Sequence, residues 1–339
     1  MTDRVLITGF SGFIASHVAA RLLDAGYQVR GTVRDMEKGE RVAAALAAAG
    51  HDTTKLELVE VDLGDDAGWA DAVKDCRYIQ HIASPFPADQ PSDREALVPE
   101  ARAGTQRVLE HGFSAGVERI VMTSSFLAMS SRPHKSAEVT ITEDSWADPE
   151  WKPLAAYAVS KIRAEQSAWA YVKAQGLEDK LTVICPALVL GPDSFKNAGA
   201  SFSLIESMLS GGIPRAPKRS IAIIDVRDCA ALHVNAMTNE KAGGQRLLGT
   251  REGMWLKDLG QILAVAYPDL KKLPVKDMPN AVVKFMGLFD DRLKMVIPYL
   301  GVLFTPDNSK TQALTKIIPR PAKEAVLAAA ESLQGLTKN

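Results

Sequence analysis

Cysteine is scarce in this 339-residue chain: Cys76, Cys185 and Cys229 are the only three, and they lie far apart. Their spacing suits neither a disulfide framework nor a metal-ligand cluster, so a reducing cytoplasm and no bound metal are expected. An excess of one charge sign is also missing, with 40 Lys and Arg against 41 Asp and Glu. That leaves no basic field for a nucleic acid and no polybasic run for a membrane surface. Long apolar runs are absent too. The stretch 281–304 comes nearest, and Lys284, Asp290, Asp291, Arg292 and Lys294 interrupt it. Met1-Thr-Asp-Arg4 leads straight into an apolar segment, so no secretory signal is expected. No internal repeat or low-complexity tract stands out. What remains is a cytoplasmic globular chain, long enough to bury a large core and suited to a small-molecule partner.

The first thirty-odd residues organise the rest. An apolar run at 5–7 reads as a buried strand, and Gly9 and Gly12 bound the turn after it. Phe13, Ile14, Val18, Leu22 and Leu23 then recur at helical spacing up to Gly26, and 28–33 reads as a second strand. This is the length of a parallel crossover unit. Bare glycine backbone lets N–H groups approach a pyrophosphate at a helix N-terminus, and Ala15 is small enough for close helix–strand packing. The second strand ends in Val33-Arg34, with Lys38 four residues on. An acidic residue there suits the ribose hydroxyls of NAD, whereas a guanidinium suits a 2′-phosphate, so NADP(H) is the expected cofactor. Asp35 lies past the strand end and is free to pair locally.

Strands and helices continue to alternate. Helices are predicted at 40–49, 67–74, 100–111 and 154–175, and strands at 56–61, 78–82, 119–122 and 181–185. The pattern predicts an α/β fold, a doubly wound parallel sheet. Asp62 and Leu63 fall where an adenine edge would lie. Ala83-Ser84-Pro85-Phe86-Pro87 makes a tight, proline-punctuated exit from the fourth strand. The polar stretch 130–152 reads as a surface loop. Past residue 192 the rhythm breaks into helices, short strands and scattered prolines. The expected division is a dinucleotide-binding domain over 1–192, with a last sheet strand near 243–250. The remainder, 193–339, reads mainly as a smaller, partly discontinuous substrate lobe.

The carboxyl edge of such a sheet gathers the chemistry. Thr123-Ser124-Ser125 delivers three hydroxyls there, and Tyr157 and Lys161 lie one turn apart on one helix face. A nearby ammonium, with the positively charged nicotinamide of the oxidised cofactor, favours the phenolate, so a lowered Tyr157 pKa is expected. Tyr157 then exchanges a proton with a carbonyl or alcohol oxygen, Ser125 hydrogen-bonds the same oxygen, and Lys161 holds the nicotinamide ribose. His17, His81 and His233 read as packing residues. Asp225 and Asp228 read as a turn or helix start, and Trp146, Trp151 and Trp169 either line the pocket mouth or pack.

These segments together resemble the extended short-chain dehydrogenase/reductases, and most of all their dihydroflavonol-reductase-like branch of NADPH-dependent aldehyde and ketone reductases. The likeness is carried by Thr8-Gly-Phe-Ser-Gly-Phe-Ile-Ala-Ser-His17, Gly31-Thr-Val-Arg34, His81-Ile-Ala-Ser-Pro-Phe86 and Thr123-Ser-Ser125. It continues through Tyr157-Ala-Val-Ser-Lys161, Pro186-Ala-Leu-Val-Leu-Gly-Pro192, Asp225-Val-Arg-Asp228 and Asp307-Asn-Ser-Lys310. The resemblance implies Ser125, Tyr157 and Lys161 as catalytic residues, with Ser124 as the alternative serine. It implies Gly9, Phe10, Ser11, Gly12, Phe13, Ile14, Arg34, Lys38, Asp62, Leu63 and Ala83 around the adenine half of the cofactor. Pro186, Ala187, Leu188 and Val189 would close over the nicotinamide.

Two departures bear on substrate. Ser125 is followed by Phe126-Leu-Ala-Met-Ser130, bulkier than in relatives, which implies a narrower and more apolar pocket wall. Leu154-Ala-Ala-Tyr157 also lacks the Asn-Trp-Tyr-Cys-Tyr signature of plant cinnamoyl-CoA reductases, which argues against a thioester. The expected partner is a small carbonyl or alcohol. The same fold also serves sugar-nucleotide epimerases and dehydratases, and redox sensors that bind the cofactor without turnover. Dehydratases carry an Asp-Glu pair after the strand-end Thr, epimerases prefer an acidic residue near Val33, and sensors usually lose the Tyr or the Lys.

Overall fold

The computed structural model describes residues 3–84 and 91–337. The Pro85-Phe86-Pro87 exit falls outside the described residues. In chain order, β1 (Arg4–Thr8) leads through the glycine turn into α1 (Phe13–Asp24). There follow β2 (Gln28–Val33), α2 (Met36–Ala48), β3 (Leu56–Glu60), α3 (Trp69–Val73), β4 (Tyr78–His81), α4 (Val98–Ser114) and β5 (Arg119–Thr123). A short α5 (Leu127–Ser130) and β6 (Glu138–Ile141) precede α6 (Ala156–Gln175), which returns the chain to β7 (Leu181–Pro186). Next come β8 (Leu188–Leu190), α7 (Ser203–Leu209), β9 (Ala216–Pro217), β10 (Ser220–Asp225), α8 (Val226–Thr238), β11 (Arg246–Gly249), β12 (Glu252–Trp255) and α9 (Leu256–Ala266). The chain ends with β13 (Asp277–Met278), α10 (Asn280–Met286), α11 (Asp291–Val296), β14 (Leu303–Pro306), α12 (Ser309–Thr315) and α13 (Ala322–Thr337).

Seven strands form one parallel sheet in the order β3-β2-β1-β4-β5-β7-β11. The pleat explains how both faces are covered, because successive side chains point to opposite sides. Val5, Ile7, Val121 and Ile184 pack with Val18, Leu22, Ala230 and Met237 of α1 and α8. Their neighbours Leu6, Ile120, Met122 and Val183 pack the other way, against Val108, Leu109, Ala168 and Val172 of α4 and α6. Strand order reverses between β1 and β4. At such a switch point the loops diverge and leave a crevice beyond the carboxyl ends. No helix among the described residues is long and apolar enough to cross a membrane.

Three local expectations need correction. The second helix begins at Met36, not residue 40, because the Asp35 side chain caps it by accepting the Lys38 N–H at 3.0 Å. The helix carrying Tyr157 starts at Ala156, two residues late, since Ala155 is extended. The stretch 130–152 is not all loop. Its β6 pairs in parallel with β14, register Leu303↔Glu138 to Pro306↔Ile141, a partner far along the chain.

Candidate active site

A cleft of about 1300 Å³ runs along the carboxyl edge of the parallel sheet. Gly9, Ser11, Gly12, Phe13 and Ile14 line it from the β1–α1 turn, with Arg34 and Lys38 beyond β2, Asp62 and Leu63 beyond β3, and Ala83 beyond β4. Further along stand Ser125, Tyr157, Lys161 and Pro186, Ala187, Leu188 and Val189. Among the residues expected at the cofactor, Phe10 is the exception. Its ring is fully buried beneath β2 at Gly31, where a Cβ would sit 2.7 Å from it, and its N–H donates to Thr32 O at 2.9 Å. Phe10 is a packing residue.

The glycine turn has the form of an anion cradle. Gly9 holds φ +67°, and a Cβ there would meet the Ala83 Cβ at 2.9 Å, so β1 and β4 approach closely only because Gly9 lacks one. Gly12 donates to Gly9 O at 2.9 Å and caps α1 with no side-chain hydrogen bond. The first-turn N–H groups of α1 therefore remain available, at the positive end of a twelve-residue helix. This fits a dinucleotide pyrophosphate. Because Asp35 is spent on the cap of α2, Arg34 keeps its guanidinium for the cleft; neither it nor the Lys38 ammonium has a side-chain partner among the described residues.

The switch point is locked by a buried hydroxyl. Thr8 Oγ1 accepts the N–H groups of Ile82 and Ala83, both at 3.0 Å, and lies 3.0 Å from His81 Nδ1. With its lone pairs engaged, Thr8 donates to a neutral His81, and burial pulls that imidazole down to about 3. His233 plays the matching part at β5. Its Nδ1–H donates to Cys229 O at 2.8 Å, leaving Nε2 to accept from Thr123 Oγ1 at 2.8 Å. Both histidines are structural. His17 is likewise packed among Phe13 and Phe195, and Asp225 caps α8 by accepting the Arg227 N–H at 2.9 Å.

The two serines differ in their hydrogen bonds. Ser124 also lines the cleft, but its hydroxyl donates to Glu165 Oε2 at 2.5 Å. Ser125 Oγ accepts the Leu127 N–H at 3.1 Å, which leaves its own proton free to give. On α6, Tyr157, Lys161 and Glu165 recur at intervals of four and share one face. Lys161 Nζ, only 4% exposed, donates to Thr123 O at 2.8 Å. Glu165 is fully buried and is gripped by Arg246 Nε at 2.6 Å and Trp169 Nε1 at 3.2 Å.

The expected lowering of the Tyr157 pKa is not what the protein groups produce. Burial pushes the phenol up to about 12, while burial pulls Lys161 down to about 8, partly offset by Cys185 and Glu165. For reduction this is the useful direction, since Tyr157 keeps its proton at neutral pH. It also sets a pH dependence. Lys161 loses its charge above about pH 8, well before Tyr157 titrates. The pH profile of kcat/KM for reduction is thus expected to be level below pH 8 and to fall above it. A profile level to pH 10 would show that the Lys161 charge is not needed.

Residues 5–248 match the family model described as the NAD dependent epimerase/dehydratase family. The chain belongs to that family. It is 32% identical over 306 residues to "Cinnamoyl-CoA reductase 1" of Petunia hybrida, covering 89% of this chain and 88% of the relative. It is 29% identical over 333 residues to the ketoreductase azaE of Aspergillus niger, covering 91% and 95%. Among solved structures it superposes on yeast methylglyoxal/isovaleraldehyde reductase Gre2 complexed with NADPH, with a TM-score of 0.79, 28% identity and 99% of each chain covered. The sheet with its flanking helices is thus the Rossmann-type arrangement of such reductases.

Sequence reasoning missed four cleft residues or supports. Glu165 had a legible signal, a third position in the Tyr157–Lys161 series. Asn197, whose Nδ2 bridges Ser11 O at 3.2 Å and Ser16 Oγ at 3.0 Å, had none. Arg219 and Tyr299 line the cleft from segments that carry no motif. The three tryptophans do not line it. Trp146 lies 3.7 Å from the Arg246 guanidinium, Trp151 edges Tyr299, and Trp169 donates to Glu165.

Proposed function

We propose that this chain is an NADPH-dependent carbonyl reductase that converts an aldehyde or ketone to an alcohol. The observation that carries the reading is one cleft with Tyr157, Lys161 and Ser125 along it, and with Arg34 and Lys38, which have no side-chain partner among the described residues, at one end. The likeness to an NADPH-complexed aldehyde reductase and to a ketoreductase supports it. In this reading residues 1–192, with the strand at 246–249, hold the cofactor, and 193–339 mainly shape the substrate pocket. The α1 N-terminus and Gly9 to Ile14 hold the pyrophosphate, Asp62, Leu63 and Ala83 flank the adenine half, and Arg34 with Lys38 meets the 2′-phosphate.

Bound NADPH supplies the hydride. The protein supplies the rest. Ser125 donates to the carbonyl oxygen and stabilises the charge that builds on it. Tyr157, protonated at neutral pH, gives its proton to the same oxygen. Lys161 anchors the end of β5 through Thr123 O and presents its remaining N–H groups to the ribose hydroxyls. Pro186 to Val189 cover the reacting ring and keep water out. The family's sugar-nucleotide chemistry is the weaker reading, because Ser124-Ser125 stands where dehydratases carry Asp-Glu. A sensor without turnover would not be expected to keep both Tyr157 and Lys161.

Loss of NADPH absorbance against aldehydes, aryl ketones, ketoesters and an acyl-CoA thioester, with NADH in parallel, tests the class. Turnover of aldehydes or ketones with NADPH is expected. In the same assay Arg34→Glu is expected to raise KM for NADPH by roughly 10- to 100-fold, the worth of a charge-assisted hydrogen bond, and to leave NADH within a few-fold. Equal weakening of both cofactors would remove the 2′-phosphate assignment.

A further inference from the structure

The cleft continues past Ser125 into a region built from the C-terminal part of the chain, where Arg219, Tyr299 and Phe304 line it. Arg219 immediately precedes β10. Its guanidinium stands over the Tyr299 ring, 5.5 Å from the centroid. Its side chain has one other contact among the described residues, a long one from Nε to Ser220 O at 3.5 Å. Arg227 pairs with Asp225, Arg246 with Glu165 and Arg320 with Asp228, while exposed Arg215 reaches the Asp277 carbonyl at 3.4 Å. Arg219 has no carboxylate within ion-pairing distance among the described residues. A guanidinium carries five donors, and withdrawing it from water without a counter-charge is unfavourable. That withdrawal is the leading influence on Arg219 and lowers its pKa, with Tyr299 the single ionisable neighbour acting on it.

The surface between this cation and the reacting centre is aromatic. Phe126, directly after Ser125, meets Phe304 edge-on at 5.6 Å. Phe304 meets Tyr299 at 6.5 Å, and Tyr299 carries Arg219. The hydroxyl end of the pocket is thus joined to the guanidinium by an apolar wall of three rings.

We propose that Arg219 is an anion subsite of the substrate pocket, and that the substrates are carbonyl compounds bearing a carboxylate across an apolar spacer. This rests on the carbonyl-reductase reading and names the substrate class within it. A carboxylate is favoured over a phosphate because the planar guanidinium matches it with two parallel hydrogen bonds and one unit of charge. A phosphate dianion would need a second cation. The neighbouring Lys218 is stacked over the Trp255 ring at 5.7 Å and does not line the cleft.

The test compares matched acids and methyl esters with NADPH as reductant. The probes are benzaldehydes bearing a para carboxylate, carboxymethyl or carboxyethyl group, and the methyl ester of each. The wild-type chain is expected to prefer at least one acid over its ester by roughly 10- to 100-fold in kcat/KM, mostly through KM. Arg219→Met is expected to abolish that preference while leaving kcat/KM for the ester within a few-fold, and Arg219→Lys to restore part of it. Reduction of the esters with no acid preferred would overturn the anion subsite and leave the reductase reading standing. So would an Arg219→Met variant that keeps the acid preference. Failure to reduce any of the six would overturn the reductase reading and the subsite with it. Preference for an acyl-CoA thioester over all six, lost in Arg219→Met, would assign the cation to a carrier phosphate and overturn the carboxylate assignment.

Discussion

Replacing Tyr157 with phenylalanine is expected to lower kcat for carbonyl reduction by roughly 10²- to 10⁴-fold, the usual worth of a positioned general acid. Binding of NADPH is expected to change little, because the substitution removes one oxygen from a half-buried ring and leaves the glycine turn, Arg34 and Lys38 untouched. The size of the effect follows from the environment. Burial holds the phenol near 12, so at neutral pH Tyr157 carries the proton in essentially every molecule. Without it the developing alkoxide has Ser125 alone, whose hydroxyl polarises the oxygen but is a far weaker proton donor. The measurement is single-turnover reduction at saturating NADPH, alongside a titration of NADPH binding by fluorescence. A phenylalanine variant that keeps more than a tenth of wild-type kcat would remove Tyr157 from the acid role.

The second large effect lies behind the site. Glu165 is fully buried and Arg246 is 7% exposed, and they meet through Nε–Oε1 at 2.6 Å and Nη2–Oε2 at 3.3 Å. Around them Ser124 and Trp169 donate to the carboxylate, while Arg246 donates to the backbone oxygens of Ala128, Glu143 and Ser145. Glu165→Leu leaves a charged guanidinium in a low-dielectric interior, and Arg246→Met leaves a charged carboxylate. Each is expected to cost about 3–5 kcal/mol of folding stability. The double variant is expected to recover much of that loss, since neither charge is then stranded, and a urea-denaturation cycle measures the coupling. If either single variant lost under 1 kcal/mol, the pair would not be the tie between α6 and β11. Activity provides a separate readout. Glu165 also holds Ser124, whose neighbour Ser125 lines the cleft, so a surviving Glu165 variant is expected to lose kcat more than it raises KM.

Local signals carried most of the fold and most of the site. Val5 and Ile7 against Leu6, and Val121 against Ile120 and Met122, spell out strands covered on both faces. The four-residue spacing of Tyr157 and Lys161 placed them on one face of one helix. What was not legible depends on partners distant in sequence. β6 is a strand only because β14 lies beside it, and nothing in Glu138-Val-Thr-Ile141 announces a partner at 303–306. Phe10 sits inside a glycine turn, where motif position suggested cofactor contact, yet Gly31 on the next strand opens a hole that its ring fills. For Tyr157 the motif shows the neighbouring charges but not the burial, which in the protein alone acts in the opposite direction. Arg219 was invisible for a related reason: beside Lys218 and close to Arg215 it reads as solvated surface until Tyr299, eighty residues later, is seen beneath it.

The Glu165–Arg246 pair also constrains how the molecule is made. Its members are separated by 81 residues of chain. At translation rates of about 5–20 residues per second, α6 leaves the ribosome roughly 4–16 seconds before its counter-charge has been synthesised. Through that interval the last edge of the main sheet is unpaired and Glu165 has no cation to bury against. The parallel sheet therefore stays incomplete until β11 has emerged. The step that completes the sheet and neutralises Glu165 waits for the whole segment between β7 and β11, so the early strands and that later segment mature together.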